Sequence, residues 1–441
     1  MDLHAAYLRR EFWIKDFFAG SPVGKPYAEI KEFDCMKFEE AENFRKLKLA
    51  SLLSHAQQHT RFYSGYSSMN LKDYPIMNKS ALLDRYEDIC VSIEEIPGQV
   101  GRLHIQSTSG STGTPFKIPQ DYRKRQRRIA ELKYFGEMVG FKSHEMLVHL
   151  RTWNRWQSKT PKQIKNENII PFDISKMGDD ELGSLCRIIN ENKAVCLRGY
   201  ASSFDILARY MKDHAVKCPS VKIIIAGSEA LHDDVRNLVK RTMQCEIISQ
   251  YANEECGIMA QERIPTKVSD NPMYLNHGNY IFECLKLDSD ESAEYGELGR
   301  LVVTDLNNYA FPIIRYDTGD AAVFLEPDEY SNGFPVLGKL LGRRFDLCYT
   351  TTGQPFSPMT IGRVLKHYDH IKQWQFIQKG EKEYLLKVIL EAGYEQDYLG
   401  DALKTLQESL GKDAEIKIEK VEGIPTLQSG KRKPVVNEWK K

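Results

Sequence analysis

From about residue 100 to residue 320 strand-like and helical stretches alternate, and no other feature limits the fold as strongly. The runs AVCLRGY and VKIIIAG are short, largely apolar and of strand length. Each leads into a polar helical stretch, SSFDILARYMKDHA after the first and DDVRNLVKRTMQ after the second. Strands separated by helices of this length pair side by side and are covered on their faces by those helices, which is the layered α/β arrangement. The style changes near residue 340. There LGKLLGRRFDL leads into YLLKVILE (a strand), DYLGDALKTLQESL (a helix) and AEIKIEKV (a strand). That is a small α+β unit of roughly a hundred residues, near the lower size of an independent domain. The expected organisation is a large layered N-terminal α/β domain over 1–342 and a small C-terminal α+β domain over 343–441.

Upstream, residues 37–60 place Phe38, Phe44, Leu47, Leu49, Leu52 and Leu53 at roughly helical spacing, which predicts an amphipathic helix. The stretch DYPIMNKSALLDRYEDI reads as a loop, an Asn78 cap and a short helix. The chain has 441 residues with 61 Lys+Arg against 61 Asp+Glu. Zero net charge supplies no global attraction to nucleic acid or anionic lipid, so either partner would need a local basic patch. The run RKRQRR at 123–128 is such a patch, but no aromatic residue interleaves it. It reads as the solvated face of a helix, and no nucleic-acid partner is expected. Apolar runs such as 221–227 fall far short of the roughly 20 residues a spanning helix needs, so no membrane insertion is expected. The nine cysteines are scattered without a CxxC pair, and the N-terminal stretch is a poor secretory signal. A cytoplasmic location is expected. Cys256, His277 and Cys284 have no metal-ligand spacing and read as core residues.

The chemistry concentrates first in Ser107-Thr-Ser-Gly-Ser-Thr-Gly-Thr-Pro115. Two glycines and six hydroxyl residues make poor helix and poor strand, but a loop whose N–H groups and hydroxyls can surround a phosphate. It is not a Walker A loop, because no Gly-Lys-Ser/Thr ends it. On composition alone it fits an ordinary surface loop; its place between the strand-like LHIQ and a long basic helix separates the two readings. A second concentration, SHEMLVHLRTWNRW, gathers His144, His149, Arg151, Trp153 and Trp156. It reads either as a strand with amphipathic edges or as a substrate-binding segment in which Arg151 meets a carboxylate or phosphate.

The loop resembles the phosphate-binding loop of the adenylate-forming superfamily: acyl- and aryl-CoA ligases, peptide-synthetase adenylation domains and luciferases. Further stretches match that family's signatures in its order. Gly227-Ser-Glu-Ala230 sits where the family turns beside the adenine. Tyr251-Ala-Asn-Glu-Glu255 resembles Tyr-Gly-x-Thr-Glu, and Tyr316-Asp-Thr-Gly-Asp320 resembles Tyr-Arg-Thr-Gly-Asp. Gly342-Arg-Arg-Phe-Asp346 resembles the Gly-Arg-x-x-Asp hinge, and Ser429-Gly-Lys431 the C-terminal Ser-Gly-Lys. Within the superfamily, PIMNKSALLDRY, RGYASSF and YANEECGIMAQE are similar to the phenylacetate-CoA-ligase-like branch. They are more similar still to the CapK-like proteins associated with bacterial surface polysaccharide synthesis.

The resemblance implies an acyl-CoA-synthetase-like fold with a mobile small domain, and an ATP-dependent acid ligase that releases pyrophosphate and forms an acyl-adenylate. Thr108, Ser109, Gly110, Ser111, Thr112 and Gly113 are then expected on the β- and γ-phosphates. Gly227, Ser228 and Glu229 are expected beside the adenine, with Tyr251 stacked on it. Asp320 is expected on the ribose hydroxyls and Arg343 on the ribose or a phosphate. Glu255 is expected to bind Mg²⁺, as a carboxylate suits that hard cation. Lys431 is expected to stabilise charge on the α-phosphate, with Lys433 as the alternative, and Asp346 to be the hinge. Arg151 and Tyr200 fall in the segments expected to shape the acid pocket. The acceptor is CoA, an amine or a carrier-protein thiol. Each residue also has a plainer reading: Asp320 as a turn former, Glu255 as a solvated helix acid, Lys431 as part of a soluble tail. The sequence departs from the family pattern at Ala252, Glu254 and Asp317. Those departures keep a second function open, a catalytically degenerate nucleotide-binding scaffold of a polysaccharide assembly.

Overall fold

The structure is a computed structural model that describes residues 2–107, 116–151, 159–264, 271–343, 348–353, 355–356, 361, 364–365, 368, 370–425 and 434–439. The chain opens with three helices, α1 (Leu3–Phe18), α2 (Gly24–Phe33) and α3 (Phe38–His59), then the short α4 (Lys79–Asp84) and α5 (Tyr86–Ile89). The Asn78 side chain accepts from the Ala81 amide at 2.9 Å, which is the expected cap of α4. Helix α3 buries Leu52, Leu53 and Ala56, but Leu47 is 72% exposed, so the apolar stripe does not include it.

A hairpin, β1 (His104–Ser107) with β2 (Lys117–Gln120), spans the segment 108–115 and feeds α6 (Tyr122–Met138). The alternating region follows: β3 (Leu147–Arg151), α7 (Pro161–Glu167), β4 (Ile169–Asp173), α8 (Asp179–Glu191), β5 (Cys196–Tyr200), α9 (Ala201–Asp213), β6 (Ile223–Gly227), α10 (Asp233–Met243) and β7 (Glu246–Asn253). Strands β3 to β7 pair in parallel, as helical crossovers require. The chain then turns antiparallel through β8 (Gly257–Glu262), β9 (Met273–Leu275), β10 (Tyr280–Lys286), β11 (Leu298–Asp305), β12 (Tyr316–Leu325) and β13 (Val336–Arg343). Among the described residues these eleven strands form one sheet in the order β10-β11-β12-β13-β9-β8-β7-β6-β5-β3-β4.

Two cores hold that sheet. One packs Val148, Leu150, Leu197, Ile224, Ala226 and Ile247 beneath α8, α9 and α10. The other joins α3 to the antiparallel half through Leu52, Tyr74, Phe116, Phe311 and Tyr316. Helix α6 lies over the sheet and is not the solvated helix its sequence predicts. Lys124, at the heart of the basic run, is fully buried and pairs with the equally buried Asp305 at 2.6 Å. Arg127 is buried against Glu29 and Asn279. A buried cation survives only where a carboxylate faces it, and those carboxylates come from strands and helices distant in sequence.

The C-terminal part builds its own sheet. After β14 (Cys348–Tyr349) and β15 (Pro355–Phe356) come β16 (Ile371–Gln378), β17 (Glu383–Leu390), α11 (Gly400–Leu410), β18 (Glu415–Lys420) and β19 (Val435–Asn437), with sheet order β18-β17-β16-β19. Helix α11 covers one face through Leu406 and Leu410, against Phe376, Leu386 and Val388. This matches the strand–helix–strand reading of the sequence. All nine cysteines are free thiols, and Cys256 and Cys284 lie in the core. No helix of the described residues is long and apolar enough to cross a membrane.

Candidate active site

The carboxyl ends of β5, β6 and β7 lie side by side, where parallel α/β sheets present ligands. Tyr200 closes β5 and Gly227 closes β6, and the two are register partners. Ser228 follows with φ +65°, a left-handed turn that takes the chain sharply off the sheet. The Glu229 carboxylate then accepts from the Ser202 amide at 3.0 Å and so caps α9, whose first residues offer no side-chain cap. Burial pushes the Tyr200 hydroxyl above its ordinary range, against the pull of Arg151, and Glu229 and Glu254 add to the rise. These four residues therefore share one environment.

Strand β7 ends in the Tyr251–Glu255 run. It turns into β8 as a hairpin, fixed by the Asn253 side chain accepting from the Cys256 amide at 2.7 Å. Glu255 is buried and accepts from the Tyr316 hydroxyl at 3.2 Å, so it is not a solvated helix acid. The Tyr251 hydroxyl donates to Asp320 Oδ2 at 2.5 Å. Asp320 belongs to the tight Asp317–Asp320 segment: the Gly319 amide donates to Asp317 Oδ1 at 2.9 Å and the Asp320 amide to Thr318 Oγ1 at 3.2 Å. Gly319 has φ +78°, a conformation that favours glycine. Asp320 is also the direct cross-strand partner of Arg343. The structure thus brings Tyr251, Glu255, Asp320 and the backbone of Arg343 to one place from three separate sequence motifs.

Two departures from the family pattern have structural occupations. Glu254 accepts from Gln106 Nε2 at 2.7 Å and lies 3.7 Å from the Arg128 guanidinium, which also donates to the Glu254 carbonyl at 3.1 Å. Gln106 stands on β1, so Glu254 ties the β7–β8 turn to that strand. Asp317 pairs with Arg300 at 3.2 Å, beneath the turn. Residues 108–113, Asp346, Lys431 and Lys433 lie outside the described residues, as do Trp153 and Trp156 and the Arg343 side chain.

The donors that converge here are oxygens: the Glu255 and Asp320 carboxylates and the Tyr251 and Tyr316 hydroxyls. That set suits a hard divalent cation and a ribose, not a soft metal. Reading the sequence missed Tyr316 as the residue that orients Glu255, though it opens the Tyr-Asp-Thr-Gly-Asp run. It also missed Gln106 and Arg128, whose roles no local pattern announces. Two small cavities beside Phe33, Arg263, Tyr274 and His277 hold none of these residues.

Known proteins share this fold. Residues 348–438 match the family model of the CapK C-terminal domain. No curated protein matches the chain. Among solved structures, 2-hydroxyisobutyryl-CoA ligase in the postadenylation state with 2-HIB-AMP superposes with a TM-score of 0.73 at 17% identity, covering 91% of this chain and 90% of that one. The same ligase with 2-HIB-AMP and CoA in the thioesterification state gives 0.57 at 17% identity, covering 91% of each. The anthranilate CoA ligase AuaEII with anthranoyl-AMP gives 0.55 at 14% identity, over 74% of this chain and 65% of that one.

Proposed function

We propose that this chain, which carries a match to the CapK C-terminal domain at 348–438 and shares the fold of an acyl-CoA ligase over nine-tenths of its length, is a CapK-like adenylate-forming enzyme that activates a carboxylic acid with ATP. The acid's carboxylate attacks the α-phosphorus, pyrophosphate leaves, and the acyl group of the resulting acyl-adenylate passes to CoA or to an amine. The observation that carries this reading is the meeting of Tyr251 and Asp320, from motifs 69 residues apart, at the carboxyl ends of the parallel strands. Asp320 would take the ribose hydroxyls, a task a carboxylate does better than an amide, while Tyr251 holds that carboxylate in place and lends its ring to the adenine. Glu255, oriented by Tyr316, would hold Mg²⁺, which supplies charge neutralisation at the phosphates. The 108–113 hydroxyls and amides would hold the β- and γ-phosphates, and Lys431 would stabilise the charge that grows on the α-phosphate.

We place the domain junction at residues 342–343, with Asp346 as pivot. The chain superposes better on the postadenylation state of a relative than on its thioesterification state, which supports two arrangements of one hinged pair. Surface polysaccharide modification, in the cytoplasm, is the setting this reading favours. A non-catalytic nucleotide-binding scaffold is the second reading, favoured by Glu254, a carboxylate beside the strand that enters the phosphate loop. Carboxylate-dependent ATP–pyrophosphate exchange across aryl, fatty, sugar and amino acids, with and without CoA, tests the proposal. Exchange with one acid class supports it, and loss of CoA thiol then names the acceptor. Mg·ATP binding without exchange for any acid favours the scaffold.

A further inference from the structure

We infer that α1 is a contact surface between two copies of this chain, which pair their α1 helices antiparallel about a two-fold axis. The inference is independent of the adenylation reading. Helix α1 (Leu3–Phe18) is held to its own chain by one face. Ala5 is buried there, and the buried Asp16 carboxylate accepts from the Val23 and Gly24 amides at 2.9 and 2.8 Å. The Phe12 ring lies 3.7 Å from Lys133 Nζ of α6, and Trp13 packs on Tyr27 of α2 with ring centroids 5.2 Å apart. Arg9 donates to the Ser143 carbonyl at 3.0 Å. The opposite face is apolar and open: Leu3, Tyr7, Ile14, Phe17 and Phe18 run from 46% exposed at Ile14 to 84% at Phe18. At about 100° per residue, these five fall with Arg10 and Glu11 inside roughly 120° of the helix circumference.

The order of residues on that face is the same read from either end. Leu3 and Phe18, Tyr7 and Ile14, and Arg10 and Glu11 each stand equally far from the helix midpoint, and Phe17 mirrors the exposed His4. Laid antiparallel across that midpoint, a second α1 sets Leu3 against Phe18, Tyr7 against Ile14 and Arg10 against Glu11. Each contact is then made twice, as a two-fold interface requires. Glu11 receives Lys15 of its own helix on Oε1 at 2.5 Å, which leaves Oε2 for the Arg10 guanidinium of the second copy. This central pair selects the occupant. An anionic lipid surface would meet an acid in the middle of the apolar stripe, and nothing ties an unrelated protein to the mirror order.

The area agrees. Aromatic side chains carry about 150–250 Å² each, so at their exposures Tyr7, Phe17 and Phe18, with Leu3 and Ile14, offer roughly 500–600 Å² per copy. A second copy would cover about 1,000–1,200 Å² in all, where specific interfaces begin, and the pairing is correspondingly weak. Helix α1 has 16 residues and is about 24 Å long, and two such helices crossing at about 20° stay in contact along their length.

The test is sedimentation of the full chain over a range of micromolar concentrations, with thermal unfolding as the check that each variant folds. The inference expects reversible conversion of the 50.8 kDa chain into a species of twice that mass. Arg10→Glu and Glu11→Arg each set like charges together twice across the axis, and each alone should weaken self-association at least tenfold. An equimolar mixture of the two variants should restore it, as should the double variant Arg10→Glu/Glu11→Arg, because both arrangements put opposite charges back in register. Phe18→Ser should also weaken it at least tenfold without any change of charge, and it serves if a charge variant does not fold. A chain that stays at 50.8 kDa throughout overturns the inference, as does a dimer that none of these variants weakens. Loss in both charge variants without recovery in the mixture overturns the antiparallel pairing. Flotation with phosphatidylserine–phosphatidylcholine vesicles tests the rival occupant: vesicle binding by a chain that does not self-associate overturns the inference.

Discussion

The Tyr251 hydroxyl donates to Asp320 Oδ2 at 2.5 Å although the two residues belong to strands four positions apart in the sheet order. At about 4.8 Å per strand, a flat sheet would hold those strands roughly 19 Å apart. The contact exists because the antiparallel half curls back over the parallel half. The curl has local causes. Register breaks between Tyr251 and Ala252, between Ala321 and Ala322 and between Val323 and Phe324 add twist. The three-residue β9 meets β13 through a single pair, Leu337 with Met273, which makes a narrow hinge in the sheet. Nucleotide binding in this account depends on that curl.

Asp320→Ala is expected to weaken Mg·ATP binding tenfold to a hundredfold, the scale of a lost hydrogen bond to a charged group. Tyr251→Phe removes the bond that orients the carboxylate and costs less. The double variant should lose less than the sum, because the two side chains act together. Calorimetric titration with Mg·ATP reads all three, and an unchanged affinity for Asp320→Ala contradicts the ribose assignment.

Lys431→Ala should slow acyl-adenylate formation by about a hundredfold or more, the scale of one lost electrostatic stabiliser. Transfer from supplied acyl-adenylate to the acceptor should survive. The two half-reactions are assayed separately, and equal loss in both contradicts the role.

The buried pair of Lys124 and Asp305 makes a structural prediction. Lys124→Met strands a carboxylate in the core and should destabilise the fold by about 3–5 kcal/mol in urea unfolding. Adding Asp305→Leu should recover most of that loss. A single variant as stable as the parent would show that water reaches the site.

His277 predicts an acid-labile fold. Its Nε2 faces the Pro335 carbonyl at 3.1 Å, so that nitrogen carries the proton, while Nδ1 is buried without a partner. Burial, with Arg45 nearby, lowers the imidazole to about 3 from its ordinary 6.5. Between those values the unfolded chain binds a proton that the folded chain refuses, so stability rises with pH across that window and falls as acid is added. From pH 6.5 to 5 the loss should be about 1.6 kcal/mol for this residue. Comparing the two pH values in urea for parent and His277→Leu checks it: the variant should lose stability less steeply, and parallel slopes contradict the assignment.

The alternation of strands and helices was legible because it is local: AVCLRGY and VKIIIAG became β5 and β6, with α9 and α10 where their polar sequences stand. The Asn78 cap and the strand–helix–strand order of the C-terminal part were legible for the same reason. What the sequence hid depends on distance along the chain. The run at 123–128 shows its charge but not Asp305, Glu29 and Glu254, which bury or bind Lys124, Arg127 and Arg128. The helical spacing of Leu47 is sound, yet α3 turns it to solvent because the core forms around Leu52, Leu53 and Ala56. The motifs carrying Tyr251, Glu255 and Asp320 could be read individually; that Tyr316 orients Glu255 follows from the curl of the sheet.

The most direct test of adenylation follows an oxygen atom. An acid that supports pyrophosphate exchange is labelled with oxygen-18 in its carboxylate and turned over with unlabelled ATP and the acceptor, and the AMP is weighed by mass spectrometry. Attack of the carboxylate on the α-phosphorus, followed by acyl transfer, leaves one acid oxygen on the phosphate. The account therefore predicts AMP heavier by one labelled oxygen, formed in step with the acyl product. Unlabelled AMP, or ADP in its place, would contradict it.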